Sequence, residues 1–234
     1  MFKIFINPSK FNQFSDIIFK PLLYLSLITL TIGLYFALYL SPNDYLQGST
    51  VRIMYIHVPS AWLSLLTFFI MTIYSILALT FKITFGYIFI KAVAPIGLIF
   101  TLMCLITGSI WGKPMWGTWW VWDARLTSVL ILGIFYIIIM ILNRSFDDIE
   151  NGEKISTIFV LLGSINLPII KFSVDWWNTL HQPASISKLA SPSIEISLLL
   201  PLIVMTIAFK VLFLFLISLR VRAEINIRKQ ILKE

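Results

Sequence analysis

Residues 92–128 read AVAPIGLIFTLMCLITGSIWGKPMWGTWWVWDARLTS. The stretch begins with nineteen uncharged residues, 92–110. It then turns into a segment with five tryptophans between positions 111 and 122, closing on Asp123 and Arg125. The first half is close to the roughly 20 apolar residues a helix needs to cross a bilayer. The same composition extends through the chain, which is 59% hydrophobic and 12% charged, against about 25% charged in a soluble domain. Further apolar runs lie at 21–40, 61–81, 126–142, 155–170 and 194–219. The reading is an all-α integral membrane protein of six transmembrane helices, a single domain over 1–234. The runs at 126–142 and 155–170 are short, and Asn166 and Pro168 weaken the latter.

The first run is too long for the apolar region of a signal peptide, and no A-x-A site follows it, so span one is expected to stay as an anchor. There is no glycine-rich linker or internal repeat. The lone cysteine, Cys104, falls inside span three and reads as a small buried hydrophobe.

An even number of spans places both termini on one side. Counting Lys and Arg in the connections puts twelve on that side and five on the other, with Lys210 inside span six. The positive-inside rule then makes both termini cytoplasmic. The net charge of +7 is thereby a matter of topology, and no nucleic-acid partner is implied.

In that topology the outer face collects the unusual residues. Segment 111–125 becomes the middle outer loop. The two histidines of the chain, His57 and His181, fall in the other two outer loops. All eight tryptophans lie at this one face, with Trp62 at the start of span two and Trp176 and Trp177 in the last outer loop. An aromatic belt is one explanation, although a belt decorates both interfaces. A platform for a flat apolar ligand is the other. If a helix starts at Pro114, a favoured first position, then Trp116, Trp119, Trp120 and Asp123 share one face. Gly117 would keep the neighbouring surface low; the glycines also permit a loop. Two neutral imidazoles are suitable axial ligands for one haem iron, and Arg125, Arg52, Lys113 and Lys171 are the outer-face cations available to its carboxylates.

WGKPMWGTWWVWDARLTS resembles the "WWD" signature of haem-handling membrane proteins, and its spelling through WDARLTS is similar to the cytochrome c maturation protein C family (CcmC, haem exporter protein C). The likeness extends over nearly the whole chain. It implies a multi-pass protein of a bacterial inner membrane, or of the mitochondrial inner membrane if organelle-encoded, which binds haem b at the outer face. It implies delivery to the haem chaperone CcmE, beside the small membrane protein CcmD and the ABC transporter subunits CcmA and CcmB. On the matching positions, His57 and His181 are the axial ligands of the haem iron. Trp111, Trp116, Trp119, Trp120, Trp122, Asp123 and Arg125 form the rest of the haem site.

No G-x-x-x-x-G-K-[ST] occurs, so ATP hydrolysis is expected only in a partner and the chain is not expected to be an enzyme. The alternatives are a cytochrome c synthase of the same superfamily, a redox cytochrome, or a haem-exporting channel component. Asp123 also suits the N-terminus of span four, where a carboxylate is favoured. Lys210 is expected to snorkel towards the cytoplasmic headgroups or to meet a partner subunit. Glu195 sits only one residue inside the outer end of span six.

Overall fold

A computed structural model describes residues 4–181 and 194–231. The protein is all-helical there, with six stretches long and apolar enough to cross a membrane. Helix α1 spans Pro8–Tyr35 and ends in a π turn at Phe36–Leu40. A 3-10 turn at Ser49–Ile53 leads into α2, Met54–Phe81. Then follow α3 (Thr84–Trp116), α4 (Ala124–Leu142), α5 (Ile149–Ser164), α6 (Asn166–Trp176) and α7 (Ile196–Ile231). Of the cations counted by side, Lys3, Lys188 and Lys233 lie outside the described residues.

Helix α3 is the axis of the bundle. Its most apolar window is 61% buried, against 11% for α1, and it packs against α2, α4 and α7. The α2–α3 hairpin closes in two residues because Lys82 adopts a left-handed backbone (φ 54°). Helices α1 and α7 pair along their length, and the Ser15 and Ser218 hydroxyls meet at 2.5 Å between them. Asp16 pairs with Arg222 at 2.5 Å on the same seam. The start of α1 and the end of α7 therefore lie at one end of the bundle, opposite the two histidines.

The helices run beyond the apolar stretches that announce them. The fifth crossing covers Ile149–Trp176, wider than 155–170, and is made of α5 and α6 in succession. Asn166 and Pro168 sit in the first turn of α6, where a backbone N–H has no intrahelical partner to lose. The Asn166 amide donates to the Ser128 carbonyl of α4 at 2.8 Å in a buried position. A polar group that looks foreign to a span is thereby satisfied inside the protein, as lipid surroundings require.

One contact sets the approach of α3 to α4. The ring of Tyr136, fully buried, lies over Gly97, and a Cβ at that glycine would run into the ring. The Tyr136 hydroxyl reaches past α3 to donate to the Ser64 carbonyl of α2 at 2.7 Å. Three helices thus meet on one side chain. Gly97→Ala should overpack this junction and cost about 1–3 kcal/mol, read as a lower unfolding temperature in detergent. Tyr136→Phe, which loses only a hydrogen bond, should cost about 1 kcal/mol. A Gly97→Ala protein that melts with the parent would show that another contact sets the α3–α4 distance.

Candidate functional site

The last turns of α3 carry the site. The helix continues through 111–116, so the connection to α4 is 117–123 and not the longer 111–125. Pro114 is not the first residue of a new helix; it lies in the last turn of α3. Gly117 ends that helix with φ 76°, its N–H bonded to the Lys113 carbonyl at 3.0 Å. This is the left-handed residue that helix C-termini favour, and it replaces the low-surface role expected for Gly117. The Lys113 ammonium covers the same end by donating to the Gly117 carbonyl at 2.9 Å. Trp119, Trp120 and Asp123 consequently do not share a helical face with Trp116.

His57 is not in a loop. It lies in the first turn of α2, which begins at Met54, seven residues before the expected start of the span at 61. Its ring rests on α3: a Cβ at Gly108 would come within 2.9 Å of its Cε1. Nδ1 lies 3.0 Å from the Cys104 carbonyl and 3.2 Å from the Thr107 hydroxyl. A carbonyl can only accept, so Nδ1 carries the proton and Nε2 carries the lone pair. Trp111 meets the imidazole edge-on with centroids 5.7 Å apart, and its indole N–H donates to Gln47 Oε1 at 2.9 Å.

His181 approaches the same helix from the connection between α6 and α7. Its ring packs against Trp116 with centroids 5.2 Å apart. Its Nδ1 faces Asp123 Oδ2 at 3.7 Å, beyond hydrogen-bond contact, and both atoms are buried without a hydrogen-bond partner. Asp123 serves both roles considered for it. Its Oδ1 accepts from the Leu126 N–H at 2.7 Å and caps α4, an interaction of about 1 kcal/mol, while Oδ2 is left facing His181. Burial lowers the His181 pKa; the neighbouring Asp123 opposes this shift and Arg125 adds to it. The imidazole is therefore held neutral, the form that binds a metal.

The remaining sequence candidates divide. Trp119 and Trp122 are exposed. Trp120 stands edge-on to Trp122, centroids 5.6 Å apart, and its buried Nε1 has no partner. Arg125 Nε donates to the Ser173 hydroxyl of α6 at 2.7 Å. Arg52 donates to the Ser41 carbonyl at 3.3 Å, and its Nε is buried and unpartnered. Lys113 hovers over the Trp119 ring at 6.0 Å, and Lys171 is on the exposed side of α6. Trp176 and Trp177 are exposed at the end of α6, the disposition of an aromatic belt. Trp62 lies eight residues inside α2, about 12 Å along the axis.

Residues 1–233 match the family model described as heme exporter protein C. The chain is 49% identical over 223 residues to "Heme exporter protein C" of Bradyrhizobium diazoefficiens, an alignment covering 95% of this chain and 84% of the relative. It is 47% identical over 202 residues to the protein of the same name in Haemophilus influenzae, covering 86% and 82%. It is also 49% identical over 178 residues to a "Putative cytochrome c biosynthesis ccmC-like mitochondrial protein" of Marchantia polymorpha, covering 76% and 75%. The chain belongs to the heme exporter protein C family.

The family match spans both histidines and the whole tryptophan segment. The geometry adds residues that the motif does not name: Gln47 under Trp111, Thr107 and Gly108 against His57, and Ser173 beneath Arg125. Of these only Gly108 left a sequence signal, a glycine in an apolar run one turn before the tryptophans. Gln47 and Ser173 are ordinary loop and helix residues until the fold brings them in.

The depressed pKa of His181 gives its docking a pH dependence. Above about pH 6.5 the imidazole is neutral whether docked or released, so docking does not vary with pH. Below that value the released form takes up a proton first, and docking weakens as pH falls towards the lowered pKa. Hydrogen exchange of the 177–181 amides, corrected for intrinsic rates, should be flat above about pH 6.5 and accelerate below it. His181→Gln should remove the acceleration; if it persists, another group takes the proton.

Proposed function

We propose that this protein binds haem at the histidine end of the bundle, with His57 and His181 as axial ligands, and presents it to the haem chaperone CcmE. The observation that carries this reading is the convergence of the two histidines on one helix end. They come from positions 57 and 181, yet both pack on α3 between Gly108 and Trp116, a segment about 12 Å long. Each turns Nδ1 to a protein oxygen, Cys104 for one and Asp123 for the other. The nitrogen left in each case is Nε2, the atom an iron takes. An Nδ1 partner that fixes ring and tautomer is the usual support for a metal-binding histidine.

The residues present fit the macrocycle as well. Trp119 and Trp122 offer exposed indole faces beside Trp120, large stiff apolar surfaces of the kind a flat ligand covers. The orphaned donors Arg52 Nε and Trp120 Nε1 are suited to accept-only groups such as haem carboxylates. Haem b supplies an iron with two axial positions and two propionates; the protein's part is to hold, orient and shield it. Exposure of Trp119 and Trp122 leaves one side of the site open to a chaperone. The reading includes CcmD, CcmA and CcmB as partners, a bacterial inner membrane with both termini cytoplasmic, and binding and delivery without enzymatic turnover.

In protein purified with haem, the parent should show a low-spin six-coordinate spectrum. His57→Gly and His181→Gly should each shift it towards high spin, and added imidazole should restore low spin in either single variant but much less in the double. Trp119→Ala with Trp120→Ala should weaken retention further than either alone, at about 1–3 kcal/mol for each ring. Unchanged spectra in both single histidine variants would remove the axial assignment. Orientation has its own test: in a Cys104→Ser background, Asn178→Cys should react with an impermeant thiol reagent on intact cells and Ser145→Cys should not. The opposite pattern would invert the topology.

A further inference from the structure

The end of the bundle opposite the histidines holds a second polar site. Lys91 and Pro95 of α3, Met140, Asn143 and Arg144 at the end of α4, and Arg220 with Glu224 of α7 line one pocket. Three cations there face one carboxylate, and Glu224 is already committed to Lys91 at 2.5 Å. Two other arginines near this end are paired, Arg222 with Asp16 and Arg228 with Glu153. Among the described residues, no carboxylate pairs with Arg144 or Arg220. The Arg220 Nε is buried and has no hydrogen-bond partner, a desolvated donor that costs free energy until an acceptor reaches it.

The pocket is continuous with an apolar groove. Met140 and Arg144 belong to both. The groove, of about 360 Å³, runs between α3 and α4 along Leu98, Ile137 and Ile141. Ile137 and Ile141 are exposed on the surface that faces the bilayer. A cationic pocket at the end of an apolar channel between transmembrane helices has the chemistry of a lipid headgroup site. A guanidinium pair is the donor set that grips a phosphate.

We propose that this α3–α4–α7 corner binds an anionic phospholipid, its phosphate held by Arg144 and Arg220 and one acyl chain lying along Leu98, Ile137 and Ile141. Anionic over zwitterionic lipid follows from the uncompensated charge: a choline group would bring a third cation to two unpaired guanidinium groups. The site is independent of the haem reading, because none of its residues touches the histidine end.

The test is native mass spectrometry of the detergent-purified full chain titrated with phosphatidylglycerol or with phosphatidylcholine of the same acyl chains. Phosphatidylglycerol should bind the parent about tenfold more tightly than phosphatidylcholine, the equivalent of one charge-assisted hydrogen bond. Arg144→Gln/Arg220→Gln should erase that preference while leaving helical content and haem retention at the far end unchanged. Ile137→Trp, which fills the groove and keeps both arginines, should weaken both lipids alike. Equal binding of the two lipids by the parent, or an undiminished preference in the double arginine variant, overturns the proposal. So does protection by inorganic phosphate or haem with no phospholipid adduct, which reassigns the corner to a free anion.

Discussion

The seat of His57 against α3 is the contact on which the site depends. In an ordinary helix the Cys104 carbonyl would serve only its own backbone ladder. Here it also receives the His57 ring, with the Thr107 hydroxyl beside it. The ring gets this close because position 108 has no side chain, and any Cβ there would press on Cε1 at 2.9 Å. In a lipid setting a polar ring has few places to put an N–H. Fixing that proton on Nδ1 decides both where the imidazole points and which nitrogen is free. Helix α3 then continues two further turns, and Trp111 and Trp116 on those turns locate the two histidines along one rod.

That rod explains why α3 is the most buried of the helices. A site assembled from three separate connections needs a common reference that does not move, and loops alone do not supply one. Gly97 and Tyr136 clamp α3 to α4, and the Tyr136 hydroxyl ties the pair to α2. The capping oxygen of Asp123 fixes the start of α4, so the carboxylate that faces His181 is positioned by the same helix that α3 packs against. Arg125, two residues along, is tied to α6 through Ser173. The start of α4 is thus referenced to the bundle core within one or two side chains.

The six-span class was legible because apolar length and charge scarcity leave little else for such a chain to be. The tryptophan face and the histidine pair were legible as composition at one end of the spans. What the sequence hid was where the helices stop. Pro114 looked like a beginning, because proline is favoured at a first turn. In the last turn it loses a single backbone bond, and tertiary contacts of Trp111 and Trp116 compensate. Gly117 was the truer signal, since its left-handed backbone is what ends α3. His57 has a proline and a serine two and three residues after it, which suggest a loop, whereas residues 54–60 continue α2, with Met54, Tyr55, Pro59 and Ser60 buried. Partners such as Gln47 and Ser173 carry no pattern at all; only tertiary approach gives them a role.

Both ends of the bundle combine satisfied groups with buried polar atoms left without a partner. At the end where α1 starts and α7 finishes, Lys91 pairs with Glu224, Arg222 with Asp16 and Arg228 with Glu153, while Arg220 Nε is buried without a partner. At the histidine end, buried donors and acceptors are left unmatched: Arg52 Nε, Trp120 Nε1, Asp123 Oδ2 and His181 Nδ1. Burying a polar atom without a partner costs about 1–3 kcal/mol, and four such atoms lie at this end. A fold built only for stability would pair them with one another. Asp123 and His181 come nearest to doing so, at 3.7 Å. The α3 rod, whose Trp111 and Trp116 meet His57 and His181, is the element these separate connections have in common.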